Sequence, residues 1–478
     1  MTELPRRAFM GIMGCLGVHS TLDQLAFSDT LQAADSRRED GAGRAWKWDV
    51  TLYDRPGWCN HAWYHVVEND GRILVPIQSC AMRVPYGDFI RTETDDLVLK
   101  STDSGRSWTA MRDPSLTTFP WGCYGLPAKS PDGTLVAVVC ADYMAGPEQR
   151  KAHLEQYGLA KFYPPRSEWL YRPWPLSMAD ELRRQGIYLF EGDEGSGHMV
   201  FSLLGYCCRT SRDAGKSWST KPIKGLPFFS NEAGSFRNTI VTKKNVWVAS
   251  VFGTPNPNRD PVPRDGFGTS KLPIGSYALR SENQGADWTI HQIGYDPSGE
   301  HSFDETAILE LPSGRILAML RHSGFTDPQH RDITLFQSYS EDAGKTWSTP
   351  VSSAIVGFPA HLLLLRDGRV LCTFGHRVDP WGHLAAISTD EGKTWRIHET
   401  KVIRDDSLPG WTTYPTSSQL IDGSIFTTYG NLKKIPPSAL AALTQQGTFR
   451  AGKQHEFVYA AASVYSPEFT HPIEWTQR

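Results

Sequence analysis

The sequence predicts an all-β chain folded as a six-bladed β-propeller, and three observations carry the prediction. Five octapeptides follow nearly one pattern: STDSGRSW at 101–108, SRDAGKSW at 211–218, SENQGADW at 281–288, SEDAGKTW at 340–347 and STDEGKTW at 388–395. Six turn-like segments each lead into an apolar, β-branched run: NDGRILVPI, PDGTLVAVV, TKKNVWVASV, PSGRILAML, RDGRVLCTF and IDGSIFTTY. No long segment with the 3.6-residue period of a helix competes with them. Similar units repeated along a chain imply a repeat architecture. Six hairpin-built units around one axis make a propeller.

Composition sets the outer limits. The chain has 478 residues, 40% of them hydrophobic, with 16 Trp, which suffices for a sizeable core. The net charge of -3 argues against nucleic acid as the main partner, because phosphate binding shows as a basic excess. Mean hydropathy is -0.39, and no apolar run past the N-terminus is long enough to span a membrane. The eight cysteines include no zinc-spaced pair and read as buried thiols with room for one disulfide.

Taken in order, residues 1–28 read as an export signal of the twin-arginine type. Arg6 and Arg7 precede a short apolar run from Ala8 to Val18. Residues 29–44 are polar and read as a linker; residues 45–478 hold the propeller. Each of the six turns opens a hairpin within one unit. Five units then continue into an octapeptide, whose Gly supplies a positive φ and whose acid or amide accepts backbone N–H groups just ahead. The closing Trp is expected to bury its ring on the next strand. The sixth unit has no octapeptide and would end with HEFVYAAASVY and HPIEW; the early strand WKWDVTL could complete it. Insertions interrupt the pattern at 143–197, rich in Tyr, Trp, Pro and Arg, and at 254–275. Long connections of this kind can border a binding cleft.

The five octapeptides resemble the Asp-box (BNR) repeats of the sialidase (neuraminidase) superfamily, and the resemblance covers roughly 45–478. It implies that the boxes are structural, away from the site. Chemistry must be sought where the innermost strands begin. The polar residues there are His61, His65, Tyr124, Glu232, Arg237, Asp304, Glu305, His361 and Tyr414.

The fourth unit, DETAILELPSGRILAMLR, resembles the sialidase pattern of a Glu before the hairpin and an Arg ending the next strand, here Glu305 and Arg321. Arg377, in GHR of the fifth unit, resembles the third member of that family's arginine triad. A guanidinium binds a carboxylate bidentately and keeps its charge. Tyr414 stands eight residues before Asp422, at the offset of the family's catalytic tyrosine. The resemblance implies Tyr414 as nucleophile with Glu305 as its base, an exception among glycosidases. Three positions depart from the pattern. His61 stands where the first arginine belongs, Gln78 or Ser79 where the acid belongs, and Gly430 where the first arginine's Glu belongs. Substitutes for the acid are His61, His65, Asp88 and His361, since an unperturbed imidazole titrates near neutrality.

The expected function is that of an exported, sialidase-like exo-glycosidase, periplasmic or extracellular, that releases a terminal acidic sugar from a glycan. Tyr414, Glu305, His61 and His361 would be catalytic, and Arg321, Arg377, Arg237 and Asp304 would bind substrate. No cofactor, no metal and a monomer are expected, with a carbohydrate as the partner. A glycan-binding propeller without catalysis is the alternative from another class. A polysaccharide lyase on the same fold, with Tyr and His as base and acid, is a further one.

Overall fold

The structure is a computed structural model and describes residues 30–32, 47–81, 97–111, 127–140, 147–159, 172–184, 189–191, 199–202, 206–213, 215, 217–224, 226, 239–254, 273–324, 333–409, 412–445 and 456–468. Six antiparallel sheets follow one another along the chain as blades. In blade 4, Ala307–Glu310 is innermost, followed outward by Ile316–Leu320, Thr334–Ser340 and Val351–Val356. Blade 5 repeats the plan with Ala360–Leu364, Val370–His376, Gly382–Ser388 and Lys401–Arg404. Blades 2 and 3 do the same at 128–222 and 239–294.

Blade 6 is closed by the N-terminal part of the propeller. Thr413–Gln419, Ile425–Lys434 and Glu456–Tyr465 are joined on the outside by Lys47–Tyr53, which pairs with the third strand from Lys47↔Tyr465 to Tyr53↔Ala460. The early strand thus completes the last blade, whereas HPIEW lies outside the described residues. In blade 1 the innermost strand is broken into Trp58–His61 and Val66–Val67, both paired to Ile73–Ala81. Part of the expected linker is also structured: Thr30–Gln32 pairs with Ser107–Thr109 on the outer edge of blade 1. The export signal itself lies outside the described residues.

The core sits between blades. Strand Val370–His376 is buried at every residue, as is Gly382–Ser388. A strand covered on both faces reads as a continuous apolar run rather than an alternating one. Apolar clusters tie blade 4 to 5 through Leu317, Met319, Leu362 and Phe374, and blade 6 to 1 through Phe426, Val464, Val75 and Trp108. Each such side chain contributes about 1.5–3 kcal/mol of burial.

The boxes join the third and fourth strands, so they lie at the opposite end of each blade from the heads of the innermost strands. In the fourth box, Ser340 Oγ accepts the Gly344 N–H at 2.8 Å, and Asp342 accepts Thr346 N–H at 2.7 Å and the Thr346 hydroxyl at 2.7 Å. The same pattern recurs at Asp103, Asp213 and Asp390, and Asn283 keeps the backbone bond but donates its amide to Asp287 in place of the hydroxyl bond. Gly344 has φ +88, and a Cβ there would stand 3.1 Å from Val248 of blade 3, so the turn also fixes the inter-blade approach. Trp108 and Trp395 bury their rings, while Trp218, Trp288 and Trp347 are half-buried, so the expected anchor is complete in two boxes.

Burial raises the Asp342 carboxyl, but the hydrogen bonds from Thr346, Ser340 and Lys345 outweigh it and pull the group down to about 2. A depressed carboxyl gives stability that is full above the ordinary carboxylate range and lost as pH falls through about 2. Asp342→Ala should therefore cost about 1 kcal/mol at neutral pH. The difference from wild type should shrink as the pH falls from about 4. Urea unfolding of both proteins at neutral and acid pH checks this.

The insertion in blade 2 builds its own small unit. A three-stranded sheet of Arg172–Pro175, Met199–Ser202 and Leu189–Glu191 accompanies helices Pro147–Gln156 and Ala179–Arg184. No described helix is long and apolar enough to cross a membrane.

Candidate active site

The first strand of a blade runs away from the axial mouth and the second returns to it. A residue just before a first strand and one just after a second therefore meet at one end. Glu305 precedes Ala307–Glu310 by two positions, and Arg321 directly follows Ile316–Leu320. Arg377 follows Val370–His376, and Tyr414 is the second residue of Thr413–Gln419. Blades 4, 5 and 6 thus each deliver polar groups to one place.

There the Tyr414 hydroxyl donates to Glu305 Oε1. Arg321 Nη1 donates to Glu305 Oε2 at 2.6 Å, and Arg321 Nε lies 3.3 Å from Asp304 Oδ1. Arg377 donates from Nη2 to the Thr412 carbonyl at 2.9 Å, and its buried Nε has no hydrogen-bond partner among the described residues. Tyr414 and Glu305 are each 6% exposed, so bulk water does not screen the pair. Both guanidiniums lie over the Phe358 ring, with Cζ 4.4 Å and 4.9 Å from its centroid.

Protonation follows from these contacts. Burial raises Glu305, but Arg321, the Tyr414 hydrogen bond and Arg377 outweigh it and hold the carboxyl below its usual range. Burial and the adjacent Glu305 charge push the Tyr414 phenol well above its ordinary value. Burial lowers Arg321, yet Asp304 and Glu305 outweigh it and raise the group. Burial pushes Arg377 down to about 10, and the like charge of Arg321 adds to this, leaving a cation at neutral pH. The neutral state of the cluster is thus a protonated phenol against a carboxylate, with two guanidiniums balanced by two carboxylates. Such a phenol becomes a nucleophile only as its proton passes to Glu305.

The histidines have contacts of their own. His61 is buried, with Nε2 2.8 Å from Cys59 Sγ and its ring stacked on Trp63 at 4.1 Å. Trp63 in turn lies 5.0 Å from the Tyr414 ring, which places the His61 imidazole, the indole and the phenol ring in sequence. His361 accepts the Ser417 N–H at 3.3 Å. Ser417 is three residues along the same strand from Tyr414, beyond the register shift between Thr413 and Thr416. His65 is fully buried, its Nδ1 is 3.0 Å from Thr428 Oγ1, and burial pushes it down to about 3, which makes it a neutral core residue. Arg237, Glu232, Tyr124 and Asp88 lie outside the described residues.

At the two positions where the acid was sought, Gln78 accepts the Trp63 indole N–H at 2.7 Å and Ser79 donates to Asn60 at 2.6 Å. The Gly430 carbonyl, in place of the family's Glu, lies 3.1 Å from His383 Nε2. Phe358 and Trp63 escaped the sequence reading because it looked for polar residues. Setting GFPAHLLLLRDG beside HSFDETAILELPSG would have shown that Phe358 heads blade 5 as Asp304 heads blade 4.

Among the described residues, Asp296, Glu300 and His301 bring three possible ligand atoms within 4.8 Å of one another. The Asp296 carboxylate already accepts the Ser298 and His301 N–H groups at 2.9 Å each, which caps its own turn.

The BNR repeat-like domain matches residues 182–427, more than half the chain. The chain belongs to the BNR repeat-like domain family. This BNR propeller is similar in fold to a solved protein of unknown function from Dyadobacter fermentans, at 19% identity and TM-score 0.58, covering 87% of this chain and 97% of that one. An α-L-arabinanase of Penicillium chrysogenum is similar at 11% identity and TM-score 0.45, over 88% of this chain and 100% of that one. The NanB sialidase of Streptococcus pneumoniae is similar at 12% identity and TM-score 0.46, over 88% of this chain and 71% of that one. These similarities concern the fold. No curated protein sequence matches this chain.

Proposed function

We propose that this BNR propeller is an exported exo-glycosidase that releases a terminal acidic sugar, of sialic or uronic acid type, from a glycan. The observation that carries the reading is the Tyr414 hydroxyl donating to Glu305 beside two guanidiniums. A neutral phenol suits attack on an anomeric carbon that bears or neighbours a carboxylate, where an anionic nucleophile would be repelled. The Arg377 Nε–H would be satisfied by a carboxylate oxygen of the sugar.

In the first step Tyr414 Oη bonds to the anomeric carbon, the bond to the leaving oxygen breaks, and the phenol proton passes to Glu305. The leaving oxygen takes a proton from solvent water and departs as an alcohol. Water then attacks the glycosyl-tyrosine: its oxygen bonds to the anomeric carbon, its proton passes to solvent, and the phenol leaves, regaining its proton from Glu305. Gln78 and Ser79 cannot donate to the leaving oxygen as acids. Turnover should therefore depend steeply on the leaving group, with aryl glycosides cleaved about 10²-fold or more faster than alkyl glycosides of the same sugar. Rates for a series of aryl and alkyl sialosides and uronosides test both this and the assignment. Cleavage of none of them would remove the catalytic reading.

The same two positions favour a second reading, a glycan-binding propeller without catalysis. Binding of an acidic sugar without turnover of any aryl glycoside would establish that alternative.

A further inference from the structure

We propose that Phe358 is a positioning residue: its ring carries both guanidiniums of the cluster and sets the geometry in which they meet an anion. The inference rests on the reading of this cluster as an acidic-sugar site.

Arg321 arrives from blade 4 and Arg377 from blade 5, and both end over one ring, at 4.4 Å and 4.9 Å. The Arg321 charge disfavours the Arg377 cation, and an aromatic face, negative in its quadrupole, attracts each of them. The two cations are otherwise unequally held. Arg321 has Glu305 and Asp304 as ionic partners, at 2.6 Å and 3.3 Å. Arg377 has the Thr412 carbonyl and the Phe358 ring. Both Nε–H groups are buried without a hydrogen bond among the described residues, and the ring matters most for Arg377, which has no carboxylate within salt-bridge distance there.

Phe358 is itself well fixed. Its N–H donates to the Gly375 carbonyl at 2.8 Å, two residues before Arg377, and its side chain is 8% exposed in the cluster with Ile355, Leu335 and Phe374. The backbone that carries Arg377 and the ring that supports it are therefore coupled. A residue that only filled space would need volume and not an aromatic face.

The test compares Phe358→Leu with Phe358→Tyr in the full chain. Three quantities are read: the melting temperature, the NMR shifts of the arginine Nε–H protons, and Kd for N-acetylneuraminate and for D-glucuronate by calorimetry. Ring currents move a proton lying over the ring upfield. In wild type, both Nε–H signals should lie upfield. Phe358→Leu should lose that displacement and weaken binding of the preferred sugar about tenfold, with the melting temperature little changed. Phe358→Tyr should recover most of both. The proposal is overturned if the Leu variant keeps the shifts and the affinity. It is also overturned if both variants lose affinity together with melting temperature, because the ring then acts by packing. If wild type binds neither sugar, the functional reading fails, and the arginine shifts still decide the role of the ring.

Discussion

Replacing Tyr414 by Phe should lower kcat on aryl glycosides by about 10³-fold or more, while the affinity for the released sugar stays within about threefold. The substitution removes one oxygen from a ring whose packing against Trp63 is otherwise kept. It leaves Arg321 and Arg377 in place over Phe358, so ground-state binding through the carboxylate persists. What disappears is the bond-forming atom and the proton passed to Glu305. A loss confined to kcat marks an interaction used only during reaction. Steady-state rates and direct binding of the product separate the two; equal losses in both, or no loss in kcat, would contradict the assigned role.

Replacing Arg321 by Met should have the largest effect on stability. Arg321 is the first opposing charge of Glu305 and the ionic partner of Asp304. Its removal leaves the buried Glu305 and the half-buried Asp304 without their nearest cation, which costs about 3 kcal/mol. The protonation of Glu305 should change with it. Burial alone raises a carboxyl, and Arg321 is the main force opposing that in the folded chain. In the variant Glu305 therefore rises instead of falling, and the acid limb of the pH–rate profile moves up towards neutrality. Urea unfolding reads the first effect and kcat/KM against pH reads the second. An unmoved acid limb would show that Glu305 is not the group that must be ionised.

The blades were legible because the same backbone problem is solved five times with the same residues. Asp103, Asp213, Asn283, Asp342 and Asp390 each accept the N–H four residues on, a local pattern that any one octapeptide displays on its own. The pairing of Glu305 with Arg321 was legible for a related reason: a hairpin of fixed length returns its second strand to the level where its first began. Features set by contacts between distant segments could not be read this way. His61 turns towards Cys59 and behind Trp63, which depends on how the broken innermost strand of blade 1 packs against blade 6. Phe358 gains its part from two guanidiniums on neighbouring blades, and nothing in GFPAH announces them. The ribbon of His301–Phe303 and His322–Gly324, which extends blade 4 beside Asp304 and Arg321, interrupts no apolar pattern and so left no signal. Thr30–Gln32 had the same fate, because an edge strand of three residues is indistinguishable from linker.

The most direct measurement is to capture the reacting residue. A glycosyl fluoride of the preferred acidic sugar, with a second fluorine on the carbon beside the anomeric centre, supplies a leaving group that needs little acid and slows the hydrolysis that follows. Intact mass and peptide mapping after incubation should show one glycosyl unit, attached to the peptide that carries Tyr414 and absent from Tyr414→Phe. Label on any other residue, or release of fluoride at equal rates from both proteins, would contradict the account.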